Sequence, residues 1–579
     1  MFKCFLTQML SLFLVVSVGM TNSFGAEVPT AVDLVTADVA LCLEVTGLEE
    51  TWTQFEAGPY MDRLRTFPPF QRLLESGSFH QWQAVEEHVA RQTGTKLSSQ
   101  LRALFGRSLV LAVYVPQTGN PRGILIGEAI DEAAVQTALA TWSKLDPSAV
   151  LTRKLHHGHG YLQRKKQAPS TEIAFIAITD RWFAISDNEF LIQDVIDRFV
   201  SLTSETSQSR TTDSLAASPR FIQNRRRLKT DVAAYLHINA RPWDRGLEEA
   251  SQSPNDPINI AEVWKRVNSV SACLRLDQGI VCDAVVDLET SPLPEEWKKL
   301  VATAAGSSSW VHRIPAESLL AISGRIELAP VLRHVFNQIP AKDQAELMKI
   351  RRIVQSQFGG KDLLDTILPT LARDFGGFIT TRTDKQTNKV ALDGALGFSL
   401  GSLSDQEMLN DLDHGLDSGL SLLAAYHSVE GNQIVTVQRE QTEAMQFRWL
   451  SATAPFPIAY GIKGSNLMIA GSKEQLKQAF QSLDQPVDPS RLTDHKGRFF
   501  SDANQLIWLD MACIRQTLEK SGPDIAQIFA PNSANEASRL AQRFEHARHY
   551  LQLVDSLFIA GRIESDHLRI TFGGGLDMK

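Results

Sequence analysis

The order of strand-like and helix-like segments in residues 35–290 recurs in residues 313–579. An internal repeat constrains a fold before any single motif is read, because each repeat must close a similar structural unit. A strand ending in glycine, Leu41, Leu43, Val45 and Gly47, matches Ser318, Leu320, Ile322 and Gly324. A strand running into a helix at Ile124–Trp142 matches one from Gly394 to a helix near Asp405, with Gly127 on Gly397. Ala177-Ile178, a turn, Trp182–Ile185 and a helix match Gly461-Ile462, a turn, Leu467–Ala470 and a helix, with Glu189 on Glu474. Leu236–Asn239 falls on Ile507–Asp510, and a closing hairpin places Leu276 on Ile563. The offsets between partners run from 270 to 287 residues, the spread that loop insertions produce.

A chain of 579 residues exceeds one hydrophobic core, so two domains are expected. The boundaries read as a signal over residues 1–25, a first lobe at 26–290, a linker at 291–314 and a second lobe at 315–579. The signal has Lys3 as its charge, the apolar core Met9–Met20, and Ser23-Phe24-Gly25 ahead of Ala26, with small residues at −3 and −1. Cleavage there predicts a secreted or periplasmic protein; retention as an anchor is the alternative. No later stretch approaches the roughly 20 apolar residues that span a bilayer. The formal charge of −8 gives no global attraction to nucleic acid. The clusters Arg164-Lys165-Lys166 and Arg225-Arg226-Arg227 read as solvated surface.

The recurring unit is strand, turn, strand, helix. Direct strand-to-strand turns imply antiparallel pairing. Ser186 with Glu189, Ser404 with Glu407 and Ser472 with Gln475 fit helix capping boxes. The expected fold class is α+β: two tandem, duplicated antiparallel-sheet lobes with helices on one face. In the hairpin at 270–288, alternation and the loop Asp277-Gln278-Gly279 pair positions 276 and 280. Leu274 then faces Cys282 on an expected buried side. Cys273 faces Asp283 on the other, so the two sulfurs diverge and no disulfide forms between them. The pairing of Cys42 and Cys513 is left open.

Ile185-Ser186-Asp187-Asn188-Glu189 and Ala470-Gly471-Ser472-Lys473-Glu474 each follow a two-strand hairpin. Leu368-Pro369-Thr370-Leu371 precedes Asp374-Phe375-Gly376-Gly377 at a helix-to-strand junction. In these features the chain resembles uncharacterised secreted bacterial proteins of domain-of-unknown-function type, built from repeated strand–strand–helix units. The resemblance is architectural, covers most of the mature chain and carries over no catalytic residue.

Several motifs invite chemistry. Gly397-Phe398-Ser399-Leu400-Gly401 has the G-x-S-x-G form of serine hydrolases, which need the serine on a strained elbow. Alternating Val390, Leu392, Leu396, Phe398 and Leu400 put Ser399 on an ordinary strand instead, and its repeat partner is Ala129. His414, His427 and His495 are possible bases, with nothing to select one. His156-His157-Gly158-His159 could supply zinc with imidazoles, but it reads as a glycine-rich hairpin loop, and Val429–Gln433, taken as its partner, lacks histidine. Asp374-Phe375-Gly376 lacks the companion motifs of kinases, and Phe358-Gly359-Gly360-Lys361 lacks the spacing of a phosphate loop. Trp142, Trp182 and Trp508 sit in apolar periodic segments and read as core.

No catalytic, cofactor-binding or metal-ligating residue is therefore assigned, and no cofactor is expected. The expected function is non-enzymatic: an exported protein with a binding or structural role in the cell envelope or outside it, acting on an envelope or extracellular partner. The alternative is an exported hydrolase using Ser399 or a metal at the 156–159 loop.

Overall fold

A computed structural model describes residues 30–575 except 146–148, 167–172, 204–212, 229–231, 251–263, 277–278, 290–297, 485–502 and further short gaps in the second unit. The signal segment lies outside the described residues, as do Ser404 and His495. The chain divides into two compact units, Met1–Glu289 and Thr290–Lys579.

The strands of the first unit are β1 (Leu41–Thr46), β2 (Ser108–Tyr114), β3 (Arg122–Glu128), β4 (Ala149–His156), β5 (His159–Lys166), β6 (Ile173–Thr179), β7 (Trp182–Ser186), β8 (Ala234–Asn239), β9 (Val267–Leu276) and β10 (Gly279–Leu288). All pair antiparallel, in the order β4-β5-β6-β7-β3-β2-β1-β8-β9-β10. The second unit contributes β11 (Leu320–Arg325), β12 (Leu371–Thr383), β13 (Val390–Leu400), β14 (Val437–Gln441), β15 (Gln446–Leu450), β16 (Ala459–Lys463), β17 (Asn466–Ala470), β18 (Gln505–Asp510), β19 (Ser556–Ile563) and β20 (His567–Gly575). Its order, β14-β15-β16-β17-β13-β12-β11-β18-β19-β20, repeats that of the first unit strand for strand. Helices enter at corresponding connections: 48–104 and 328–357 after the first strand, 132–145 and 406–430 after the third, 189–203 and 473–484 after the seventh.

The class is α+β with antiparallel sheets. The helices lie on both faces of each sheet, where the strand–strand–helix unit suggested one. Neighbouring strand residues in the first unit enter different cores. Val110, Ile126 and Ala184 meet Ile192, Val195 and Ile196 of helix 189–203. Leu109 and Phe183 meet Leu48, Leu104, Val135 and Ala138 of helices 48–57, 97–104 and 132–145. Since adjacent strand side chains point oppositely, the sheet is sandwiched. In the second unit Leu450 and Tyr460 pack with Leu412 and Leu420 of helix 406–430, whereas Phe447 meets Phe480 of helix 473–484. The helices inserted between strands supply the second layer, and they were not legible as a layer from local periodicity.

The 270–288 hairpin has the expected register: Leu276 pairs with Ile280, Leu274 with Cys282 and Cys273 with Asp283, and both cysteines are free. Its faces are reversed. Ser269, Ser271, Cys273, Arg275 and Asp283 are buried, while Leu274, Cys282 and Ala284 are only half-buried. Helix 219–227 supplies the reason, because its Asn224 Nδ2 donates to Ser269 and Ser271 Oγ at 2.9 and 3.3 Å. Arg275 pairs with Asp283 at 2.6 Å. A polar strand face that finds its partners within the fold can be the inner one.

Two further expectations change. Ser308–Ile314, the end of the segment read as a linker, includes the 3-10 helix Ser309–Arg313, whose Trp310 is buried in the second unit. The first-unit helix is capped by Asn188, whose Oδ1 accepts from Phe190 N. Ser186 Oγ instead donates to Gly123 O and accepts from Asn188 N. Ser472 does cap its helix, accepting from Gln475 N at 3.1 Å. Trp182 and Trp508 are core residues, and Trp142 packs at the edge of one core.

Candidate functional site

Ser399 lies on β13, paired with Asn466 of β17. Its Oγ accepts a hydrogen bond from the Trp310 indole Nε1 at 3.1 Å, and among the described residues no histidine bonds to it. The glycine of the motif has a packing cause. A Cβ on Gly397 would come within 2.1 Å of the Trp310 ring, and one on Gly376 within 2.5 Å. Trp310 therefore lies flat on two neighbouring strands only because both positions lack side chains. The G-x-S sequence is a tryptophan seat, with the serine holding the ring nitrogen. Arg313 covers the ring, its Cζ 4.9 Å from the centroid, and donates to Asn466 Oδ1.

The other look-alikes resolve in the same way. Phe375 of the Asp-Phe-Gly sequence stacks over Gly324 on β11, and Asp374 accepts from Ser309 Oγ at 3.2 Å. Gly359 and Gly360 take φ of +62° and +88° at the end of helix 341–357, where Gly360 N returns to Gln355 O. That is a helix C-terminal cap. Lys361 pairs with Asp411.

The first unit buries a polar network between helix 219–227 and β1, β8 and β9. Arg225 Nη1 donates to Glu44 Oε2 at 2.6 Å, with Glu44 almost fully buried. Of the triplet read as solvated surface, Arg225 thus points inward, Arg227 pairs with Asp287 at 3.5 Å, and Arg226 is exposed. His237 Nδ1 lies 2.9 Å from Ser271 Oγ, and burial pulls its pKa down to about 4, with Arg220 adding to the shift. Burial likewise pushes the Cys42 thiol far above its ordinary range and Cys273 up to about 11. Protonated thiols are poor nucleophiles. An open groove of about 490 Å³ beside this helix is lined by Pro219, Ile222, Gln223, Arg226 and Arg227, a set without a nucleophile or general base.

The histidine loop is the hairpin turn read from the sequence. His156 ends β4 and pairs with His159 at the start of β5. The two residues between them, His157 and Gly158, have φ of +50° and +86°, the left-handed pair of a two-residue hairpin turn. The turn lies against helix 189–203. Lys154 Nζ meets Glu189 at 2.6 Å, and His156 Nε2 meets the Asp197 carboxylate at 3.0 Å. The His156 and His157 rings are 4.3 Å apart, edge to face. One ligand-type atom from each of His156, His157 and Asp197 lies within 4.8 Å of the others. His159 stays outside this group, and Asp197, 40 residues beyond His157 in sequence, had no local signal. The corresponding hairpin of the second unit is β14–β15, turning at 442–445, not the 429–433 stretch aligned with it from sequence. It contains no histidine. Glu564, Asp566 and His567 form a second acidic–histidine group at the turn before β20.

No protein-family model matches the chain, and no curated protein matches it. Two solved structures align with part of it. Crystal form III of TP0453 is 11% identical over 48% of this chain and 86% of that chain, with a TM-score of 0.22. Crystal form IV is 12% identical over 44% and 79%, with a TM-score of 0.24.

Proposed function

We propose that this is an exported, non-enzymatic protein with a binding or structural role in the cell envelope or outside it, descended from a duplicated ten-stranded unit. The observation that carries the non-enzymatic reading is the Trp310–Ser399 hydrogen bond. It occupies the hydroxyl a hydrolase would need beside a base. The common strand order supports duplication, and the charge–apolar–small order of residues 1–25 supports export. A contact role has support in the second unit. Ile507, Ile559 and Phe572 are direct cross-strand neighbours and stand 46%, 50% and 49% exposed. Contiguous apolar surface of this kind is used for contact more than for catalysis.

Cell fractionation with N-terminal sequencing, joined to an esterase and peptidase panel on wild type and Ser399→Ala, tests the proposal. Mature protein should begin at Ala26 or within a few residues, and Ser399→Ala should abolish no activity. Intact Met1 in the soluble cytoplasm overturns export. An activity lost in Ser399→Ala with melting unchanged overturns the non-enzymatic reading.

A further inference from the structure

We propose that the tip of the β4–β5 hairpin and helix 189–203 together form a surface site for a divalent transition-metal ion, with His156, His157 and Asp197 as its ligands. Two imidazoles and a carboxylate without thiolate suit zinc or copper. Such an ion, bound at roughly 2.0–2.1 Å, sets tetrahedral ligands about 3.4 Å apart. The three atoms here fall within 4.8 Å of one another, and His156 Nε2 already stands 3.0 Å from Asp197. Closing the remainder takes side-chain rotation of His157 and Asp197, both exposed.

The backbone favours this placement. A two-residue turn with both φ positive is ordinarily Asn-Gly or Asp-Gly. Here histidine takes the first position at φ +50°, so the turn geometry fixes where its imidazole begins. Helix 189–203 is rigidly packed through buried Ile192, Val195 and Ile196, so Asp197 is fixed from the other side. Three protein ligands leave one or more positions to water. The ion would add a link between two segments that already meet through the Lys154–Glu189 and His156–Asp197 pairs and through Tyr161, which bonds to Glu189 and Gln193, and it would stabilise the folded state by mass action.

The test is calorimetric titration of the tag-free mature chain with Zn²⁺ and with Cu²⁺, alongside melting temperature with and without metal. His157→Asn removes the imidazole while installing the residue the turn prefers, so it folds. Asp197→Asn keeps shape and loses the anionic ligand. His159→Asn is the neighbouring control, and His567→Ala removes the second acidic–histidine group. Wild type, His159→Asn and His567→Ala should share one saturable site and an upward shift in melting temperature. His157→Asn and Asp197→Asn should each weaken it at least tenfold and lose the shift. No saturable uptake by wild type overturns the site. So does uptake that survives both ligand substitutions, or that falls as much in His159→Asn or His567→Ala.

Discussion

At the scale of single residues, the first unit invests in polar groups that most domains leave outside. Glu44 is 3% exposed and depends on Arg225. Removing one member of a buried pair costs more than the pair contributes, about 3–5 kcal/mol, because a charge is left uncompensated. His237 adds a pH dependence. Its folded pKa of about 4 lies below the ordinary 6.5, chiefly through burial, so the unfolded chain binds the proton more readily. Stability from this group is fully present above the unfolded value and is lost as pH falls from about 6.5 to about 4. The whole window amounts to roughly 3 kcal/mol. His237→Gln can keep a hydrogen bond to Ser271 without titrating. Urea unfolding at pH 7 and pH 4.5 should show wild type losing more stability than the variant. Equal losses would place the proton elsewhere.

At the scale of elements, neighbouring strands, and in one case a 3-10 helix on the sheet, meet through aromatic rings seated on glycine. Gly127 under Phe183, Gly324 under Phe375 and Gly397 under Trp310 each sit where a Cβ would come within 2.4 Å of a ring. Gly397→Ala should therefore destabilise the second unit by about 1–3 kcal/mol, the usual cost of overpacking. Ser399→Ala leaves the indole N–H of buried Trp310 without its acceptor and should cost about 1–3 kcal/mol as well. Thermal melts check the ring seat: both variants should melt below wild type, and a Gly397→Ala melt equal to wild type would contradict it. The hairpin at 267–288 is instructive here. Alternation identified its register and its two faces, yet assigned the inner face wrongly, because Asn224 arrives from a helix more than 40 residues away in sequence.

For the whole molecule, two units repeat one ten-strand order, and their differences lie in the helices inserted between strands and in side chains at corresponding turns. The histidine hairpin and its histidine-free partner are one such difference. The net charge of −8 and isoelectric point near 6.0 set how the chain meets other polymers. In a gel-shift titration at physiological salt it should not retain duplex DNA, since counterion release needs a cationic surface. Retention that weakens steeply with salt would reveal a basic face that the net charge conceals.

Local order in this protein was legible in its sequence. Strand alternation, the turn at Gly279, the cap at Ser472 and the recurrence of segments each depend on residues a few positions apart, where steric and hydrogen-bonding preferences act directly. What lay on top of each strand was not legible. The inward turn of Arg225, the seat for Trp310 and the approach of Asp197 to His156 join residues 41 to 181 positions apart. Only the packed chain decides such meetings, because a side chain's environment is set by whichever element covers it, and no local pattern encodes that element's arrival.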